Sequence, residues 1–331
     1  MKGFWTSLRR PFFALAPMED VTDAAFRRLI AEHGKPDVMF TEFTSADGLV
    51  LADEAGQRKL RKKLLYAESE RPIAAQLFSS VPERMEAAAK IVAELGFDGV
   101  DINMGCPDRA VEKSGCGAAL MKNPARAREL MRAAGKSGLP VSVKTRIGYD
   151  KDELATWLPE LLAEHPAAIT IHARTRKEMS DVPAHWDAIA HSVAIRDSLR
   201  ASTLIIGNGD VLSAADAQEK IAETKCDGVM LGRAIYGNPW LFADLKESPS
   251  PKKKIEALAE HLQLFDELLA DTTHFAVVKK HFKAYVSGWD GAKGLRIQLM
   301  NTKTVAEART LLAEHYPREY NAPRTAAQSP V

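Results

Sequence analysis

Residues 101–124, DINMGCPDRAVEKSGCGAALMKNP, place an acid, an amide and a thiol at Asp101, Asn103 and Cys106, where an apolar run ends. A free cysteine with a pKa of about 8.5 is mostly protonated at neutral pH, so a well-placed one can act as an acid. Cys106 stands between Gly105 and Pro107, and the proline removes a backbone donor and stiffens the turn. Asn103 offers both a donor and an acceptor. The other thiols read differently. Cys116, flanked by Gly115 and Gly117, suits close helix packing, and Cys226 precedes an apolar run and reads as a small apolar residue. Further polar or reactive side chains stand at the ends of other apolar runs: Met18, Glu42, Gln76, Lys144, His172, Asn208 with Asp210, and Arg233.

Those runs are the elements that must position the chemistry. They cover 12–18, 38–43, 73–78, 99–104, 140–145, 168–173, 203–208 and 227–232, with helical segments between them. Most are too continuously apolar for half-exposed hairpins and suit a parallel sheet buried on both faces. The helical segments carry start and stop signals: Ser80 as a cap with Pro82 and Gly96, Asn123 with Pro124, and Ser213. Eight strand-then-helix units in about 240 residues match a (β/α)8 TIM barrel, whose active sites gather at the carboxyl ends of the strands. A doubly wound sheet is the competing arrangement. It needs a glycine fingerprint after an early strand, whereas the near match GCGAAL follows the fourth run and lacks a third glycine.

Composition sets the outer bounds. The 331 residues are 46% hydrophobic and 27% charged, with 45 basic against 44 acidic side chains, so any basic surface has to be local. Three cysteines without paired C-x-x-C spacing form neither a disulfide framework nor a zinc site, and no metal is expected. A reducing cytoplasm fits this usage. The first 18 residues lack the uninterrupted apolar core of a signal peptide, and no run approaches the roughly 20 apolar residues of a membrane span. Texture changes late in the chain. The expected division is a catalytic barrel domain over 1–245, a linker over 246–254, a small all-helical domain over 255–320 and a disordered tail over 321–331. From residue 249 onward there are 12 Lys and Arg against 9 Asp and Glu, concentrated at Lys279, Lys280, Lys283, Lys293 and Arg296. Such clusters hold phosphate backbones, and a solvated helix face is the competing reading.

Taken in order, APM (16–18), Gln76 within AAQLF, INMGCP, VKTRIG, IHAR, GNGD and GRAIYGNPWLF resemble the tRNA-dihydrouridine synthases, over residues 12–245 and more loosely through KKHFKAYVSGWDGAKGLR. The resemblance implies an FMN-dependent enzyme, with NADPH or NADH as reductant, that reduces the C5–C6 double bond of specific uridines in tRNA. Hydride would go to carbon six while Cys106, the catalytic acid, protonates carbon five. It implies cofactor contacts at Pro17, Met18, Glu19, Gln76, Lys144, His172, Asn208, Gly209, Asp210, Gly232 and Arg233. Substrate contacts would be Asn103, Arg146, Arg174, Lys279, Lys280, Lys283 and Arg296, with Arg176 and Lys177 as further phosphate candidates. The helical domain would hold tRNA while the stacked uridine is turned out. No membrane and no obligate protein partner is implied.

Each residue also has an ordinary use. The turns at Gly209 and Gly232 suit either an anionic phosphate or structural punctuation. Lys144 suits either the electron-rich edge of a reduced flavin or an ion pair with Asp101 or Glu42. Met18 and His172 suit core packing as well as a cofactor. Two other functions compete: a flavin barrel acting on a free small molecule, such as a dihydroorotate dehydrogenase or ene-reductase, and a barrel that only binds RNA. The first leaves the basic helical segment idle, and the second leaves Lys144, Cys106 and Asn103 unexplained.

Overall fold

The computed structural model describes residues 3–243 and 248–315. Its strands are β1 (Phe12–Leu15), β2 (Met39–Phe40), β3 (Thr44–Ser45), β4 (Ile73–Phe78), β5 (Gly99–Met104), β6 (Val141–Arg146), β7 (Ala168–His172), β8 (Leu204–Asn208) and β9 (Gly228–Leu231). All pair in parallel in the order β1-β9-β8-β7-β6-β5-β4-β2, with β3 also on β4. A bridge between Ala14 and Val38 closes the ring, which makes the expected barrel.

Two local expectations are corrected. The run 38–43 is not one strand: β2 pairs at Ile73–Ala74 and β3 at Leu77–Phe78, so two short strands share one stave. Ser80 does not cap the following helix, Pro82–Glu94, whose N-cap is Val81 with no side-chain bond. The Ser80 hydroxyl instead donates to the carbonyl of Ser114, 2.6 Å away. Asn123 and Ser213 do cap their helices, each accepting from the backbone N–H three residues on.

Because side chains alternate along a strand, alternate positions of all the staves share the barrel interior. Its amino-terminal half is apolar: Phe12, Ala14, Val38, Phe40, Ala74, Ala168, Leu204, Ile206 and Met230 cluster with Trp5, which comes from the 3-10 turn Gly3–Thr6. Trp5 packs its ring 6.2 Å from Phe12 and 6.3 Å from Phe40, and Phe4 stacks on it at 4.6 Å. Two to four residues further along the same faces the interior turns polar, at Gln76, Asp101, Asn103, Lys144, Thr170, His172 and Asn208.

By its contacts the chain forms two compact units. The first comprises the residues up to Met18, Pro36–Leu64 and Arg71–Arg233, and the second Glu19–Lys35, Leu65–Glu70 and the residues from Ala234 onward. The helix that follows β1, Ala24–His33, thus belongs to the second unit, where it packs on the helix Pro251–Leu268 with Phe26 stacked 4.8 Å from His261. The helix Pro251–Leu268 starts inside the stretch read as linker, with Ser250 as its cap. The segment 275–289 is not one helix but a 3-10 turn, Val278–His281, running into the single turn Phe282–Tyr285. The helices Ala292–Asn301 and Val305–His315 follow. The expected tail, 321–331, lies outside the described residues.

One ion pair sits at the centre of this second unit. Arg27 and Glu70 are both fully buried, with Arg27 Nε 2.8 Å from Glu70 Oε2. The rest of the guanidinium donates to the carbonyls of Thr22 and Leu65, and Glu70 Oε1 accepts from the Ala67 N–H. Every charged atom is therefore satisfied, and removing one partner leaves the other buried alone. Glu70→Ala is expected to destabilise the protein by about 3–5 kcal/mol. Urea unfolding followed by circular dichroism measures this, and a loss under about 1 kcal/mol would show that the pair is incidental.

Candidate active site

The carboxyl end of β5 carries the thiol. Asn103, inward-facing on β5, accepts with Oδ1 from the backbone N–H of Gly105 (3.2 Å) and of Cys106 (2.9 Å), which folds the chain over just past the strand. Arg146, at the end of β6, donates through Nε to the Gly105 carbonyl at 2.9 Å, and the Ala118 N–H donates to the Cys106 carbonyl at 3.0 Å. Glycine is required at two places in this turn. A Cβ on Gly105 would press 3.2 Å from the β6 backbone at Thr145, and one on Gly117, whose φ is +59°, would lie 2.7 Å from the Cys106 carbonyl oxygen. The Cys106 thiol is half-buried and free, and burial pushes its pKa up, so it holds its proton at neutral pH. Cys116 and Cys226 are buried.

A chain of side-chain bonds runs inward from Asn103. Its Nδ2 donates to Gln76 Oε1 at 2.9 Å; Gln76 Nε2 donates to Asp101 Oδ2 at 2.7 Å; and Ser142 donates to Asp101 Oδ1 at 2.6 Å. Asp101 is buried, which raises its pKa to about 6 against the opposing bonds from Ser142 and Gln76. Its connection to Gln76 was not foreseen. The signal available was an acid two residues before Asn103, hence on the same strand face.

Lys144 donates to Asn208 Oδ1 at 3.2 Å, and Asn208 Nδ2 donates to the Met230 carbonyl at 2.8 Å. Among the described residues Lys144 makes no ion pair. Burial, then the charge of Arg146, lowers its pKa to about 8. His172 pairs with Arg146 across β6 and β7, and burial with the surrounding Lys144, Arg146, Arg174 and Arg233 lowers its pKa to about 2. Its Nε2 faces an Arg174 nitrogen at 3.1 Å; a guanidinium can only donate, so the neutral ring carries its hydrogen on Nδ1.

After β8, Trp186 lies against Gly207, where a Cβ would be 2.5 Å from the ring, and its Nε1 donates to the Gly209 carbonyl at 3.0 Å. Asp210, at φ +54°, pairs with both Arg174 and Arg233. Gly232 follows β9, and a Cβ there would touch Met18 Sδ at 3.6 Å. Met18, Gln76, Asn103, Cys106, Lys144, His172, Asn208, Gly209, Asp210, Gly232 and Arg233 thus all lie at the carboxyl ends of strands of one ring. Pro17, half-buried, is in the segment between β1 and Met18.

The arginines read as substrate contacts are engaged internally. Arg146 is buried and also donates to the carbonyls of Thr175 and Met179, and Arg174 is buried and donates to the Val182 carbonyl. Arg176 forms a two-pronged pair with Glu112, while Lys177 is exposed. The remaining sequence-derived residues lie in the second unit. Glu19 is exposed there. Lys279 donates to the carbonyls of Met300 and Thr302 at the end of the helix Ala292–Asn301, Lys280 pairs with Asp20 at 2.8 Å, and Arg296 donates to the Val286 carbonyl at 3.1 Å. Lys283 and Lys293 are exposed, and no bond engages their ammonium groups among the described residues. The motif GNPWLF also acts inside this unit. Gly237, at φ +58°, lets the chain pass Ala284 and Tyr285, where a Cβ would be 2.5 Å from Ala284 Cβ.

A family model described as dihydrouridine synthase (Dus) matches residues 14–321. The chain is 43% identical over 321 residues to the probable tRNA-dihydrouridine synthase 2 of Bacillus subtilis (strain 168), covering 96% of this chain and 98% of the relative. It is 42% identical over 313 residues to a probable tRNA-dihydrouridine synthase of Staphylococcus epidermidis, covering 94% and 95%. Over 315 residues it is 42% identical to one from Staphylococcus aureus (strain COL), covering 95% of each. Among solved structures, histamine dehydrogenase from Rhizobium sp. 4-9 superposes with a TM-score of 0.51 at 13% identity, over 76% of this chain and 48% of that one. A 2-naphthoyl-CoA reductase complex gives 0.52 at 11% identity, over 70% and 49%. The chain spans about half the length of these two structures, and they share its fold.

The buried neutral imidazole has a consequence for stability. Between about pH 6.5 and 2 the unfolded chain binds a proton at His172 that the folded protein refuses, so this residue's contribution to stability falls as pH drops below 6.5. Each pH unit removes about 1.4 kcal/mol. His172→Asn is expected to flatten the acid limb, so that wild type loses roughly 2 kcal/mol relative to the variant between pH 6.5 and 5. Urea titrations of both proteins at the two pH values measure it, and parallel losses would mean that His172 titrates normally.

Proposed function

The chain belongs to the dihydrouridine synthase family, and from that premise we propose that it reduces the C5–C6 double bond of uridines in tRNA, using FMN with NADPH as the electron source. One observation carries the reading: a protonated, half-buried thiol is tied by its own backbone to the rim of a barrel whose polar end is rich in cations. At that end Lys144, Arg146, Arg174 and Arg233 stand with the acids Glu42, Asp101 and Asp210, and His172 stays neutral among them. This donor set suits an anionic phosphate ester joined to an electron-rich ring, and so fits FMN.

Lys144, Gln76 and His172 would hold the ring, Met18 would pack on it, and Gly209, Gly232 and Arg233 would hold the phosphate. Pro17, Asn208 and Asp210 would complete the cofactor set. Bound FMN, re-reduced by the nicotinamide, supplies hydride chemistry. The chain's own part is the proton. Cys106 Sγ–H gives it to carbon five, the charges of Lys144 and Arg146 favour the thiolate that results, and partial exposure lets solvent restore the proton. Asn103 would orient the base beside the thiol. Small-molecule reduction is the weaker reading, because it assigns no use to the basic residues of the second unit.

For tRNA, the cluster Lys279, Lys280, Lys283, Lys293 and Arg296 is the proposed phosphate contact, with Arg146 and Arg174 as rim candidates. Lys283 and Lys293 carry most of this reading, since their ammonium groups have no partner among the described residues. Lys283→Ala and Lys293→Ala are each expected to weaken tRNA binding and lower the slope of log K against log salt by about one. Filter binding across a salt series tests this, and an unchanged slope returns the cluster to ordinary surface charge.

Cys106→Ala tests the chemistry. The variant is expected to bind FMN and tRNA and to accept electrons from NADPH as wild type does, while uridine reduction slows by roughly 10² to 10⁴, the usual contribution of a positioned acid. Cys116→Ala, in the buried part of the same loop, is expected to match wild type. Single-turnover oxidation of the prereduced protein by unmodified tRNA, followed through the flavin absorbance, compares them. A normal rate for Cys106→Ala beside a stalled Cys116→Ala would reverse the two roles.

A further inference from the structure

The bonds running inward from Cys106 have a directional property. An amide side chain has nearly the same shape either way round, so only its partners decide which end is oxygen and which is nitrogen. Gln76 and Asn103 are two such reversible groups in series. At the outer end stand the backbone N–H groups of Gly105 and Cys106, which can only donate. At the inner end stands Asp101, which as a carboxylate can only accept. Asp101 Oδ2 therefore takes Gln76 Nε2, Gln76 Oε1 is left for Asn103 Nδ2, and Asn103 Oδ1 is left for the turn that carries the thiol. Without an acceptor at the inner end, Gln76 Nε2 is left buried with no partner, and only the bond from Asn103 Nδ2 still holds Gln76 in place. If Gln76 turns over, its Nε2 faces Asn103 Nδ2. That withdraws Oε1 from Asn103, whose amide then holds the N–H groups of Gly105 and Cys106 without support from the barrel interior.

We propose that Asp101 is a positioning residue for protonation: by accepting from Gln76 it anchors the inner end of the amide relay Gln76–Asn103 and thereby steadies the Cys106 turn at the barrel mouth. This inference rests on the reading of Cys106 as proton donor. Asp101 sits among Gln76, Ser142 and Lys144, its second oxygen is bonded to Ser142, and at 1% exposure it offers no surface to a ligand. Its influence on the reaction passes through the relay.

Three substitutions separate this role from a merely structural one. Asp101→Leu keeps the branched shape and removes both acceptors; Ser142→Ala removes the other partner of Asp101 and leaves the relay alone. Asp101→Asn keeps one acceptor for Gln76, with the Ser142 hydroxyl free to rotate and accept from the new amide nitrogen. Single-turnover uridine reduction and tRNA affinity are measured together with alkylation of Cys106 by iodoacetamide, followed by peptide mass spectrometry. Asp101→Leu is expected to slow reduction by about ten- to a hundredfold, as a small misplacement of a reacting group does, with tRNA affinity unchanged. Its Cys106 is expected to alkylate several-fold faster, because the turn is released. Ser142→Ala is expected to match wild type in all three measurements, and Asp101→Asn to recover most of the rate lost in Asp101→Leu.

The proposal is overturned if Asp101→Leu keeps the wild-type rate and alkylation, if Asp101→Asn is as slow as Asp101→Leu, or if Ser142→Ala is equally impaired. Should Asp101→Leu not fold, Gln76→Met cuts the relay one bond further out and is expected to give the same faster alkylation. Failure of both to fold would make the network a folding requirement and refute the positioning role. If wild type itself does not reduce tRNA uridine, the functional reading fails, while the alkylation contrast still reports on the relay.

Discussion

Polar side chains buried inside the barrel have to find partners, because an unpaired one costs about 1–3 kcal/mol. That constraint shapes the carboxyl half of the ring. Alternation along the strands sends Gln76, Asp101, Asn103, Ser142, Lys144, His172 and Asn208 inward, above an apolar plug formed by Trp5, Phe12, Phe40 and Met230. Their side chains answer one another between strands: Ser142 with Asp101, Asp101 with Gln76 and Gln76 with Asn103 across neighbours, and Lys144 with Asn208 across the intervening β7. Because each bond joins different strands, the geometry of the thiol turn depends on the register of β4, β5 and β6 together.

Charge follows the same logic. Arg174 and Arg146 are buried but satisfied by carbonyls, and Asp210 holds Arg174 and Arg233 at once. His172, buried and set among these cations, stays neutral as a result. The ring thus concentrates positive potential where strands end while leaving one uncharged imidazole within it.

Most of the barrel was legible in the sequence, because a strand buried on both faces must be apolar throughout and its neighbours must be helices. Seven of the eight runs, 12–18 and the six from 73–78 to 227–232, became single strands. The failures have local causes. The run 38–43 is broken because its stave pairs in two short pieces, which apolarity alone does not record. Ser80 had a better partner in the distant Ser114 carbonyl than in its own helix. The residues at strand ends were readable because the fold puts them on one rim. Asp101 was visible as an acid, yet its bond to Gln76 depends on a neighbouring strand's register. Burial of Arg174 depends likewise on where the loop 173–185 turns back, since the carbonyl that receives its Nε is that of Val182.

The make-up of the second unit bears on how the protein is born. Its helix Ala24–His33 leaves the ribosome early, yet the helix Pro251–Leu268 on which Phe26 packs follows more than 200 residues later. At about 5–20 residues per second, translation keeps the two apart for roughly 10 to 40 seconds. During that interval Phe26, Leu29 and Ile30, all buried in the finished protein, lack the surface of that later helix, and Arg27 precedes its partner Glu70 by some 40 residues. The nascent chain therefore carries part of an apolar stripe without its main partner through most of its synthesis.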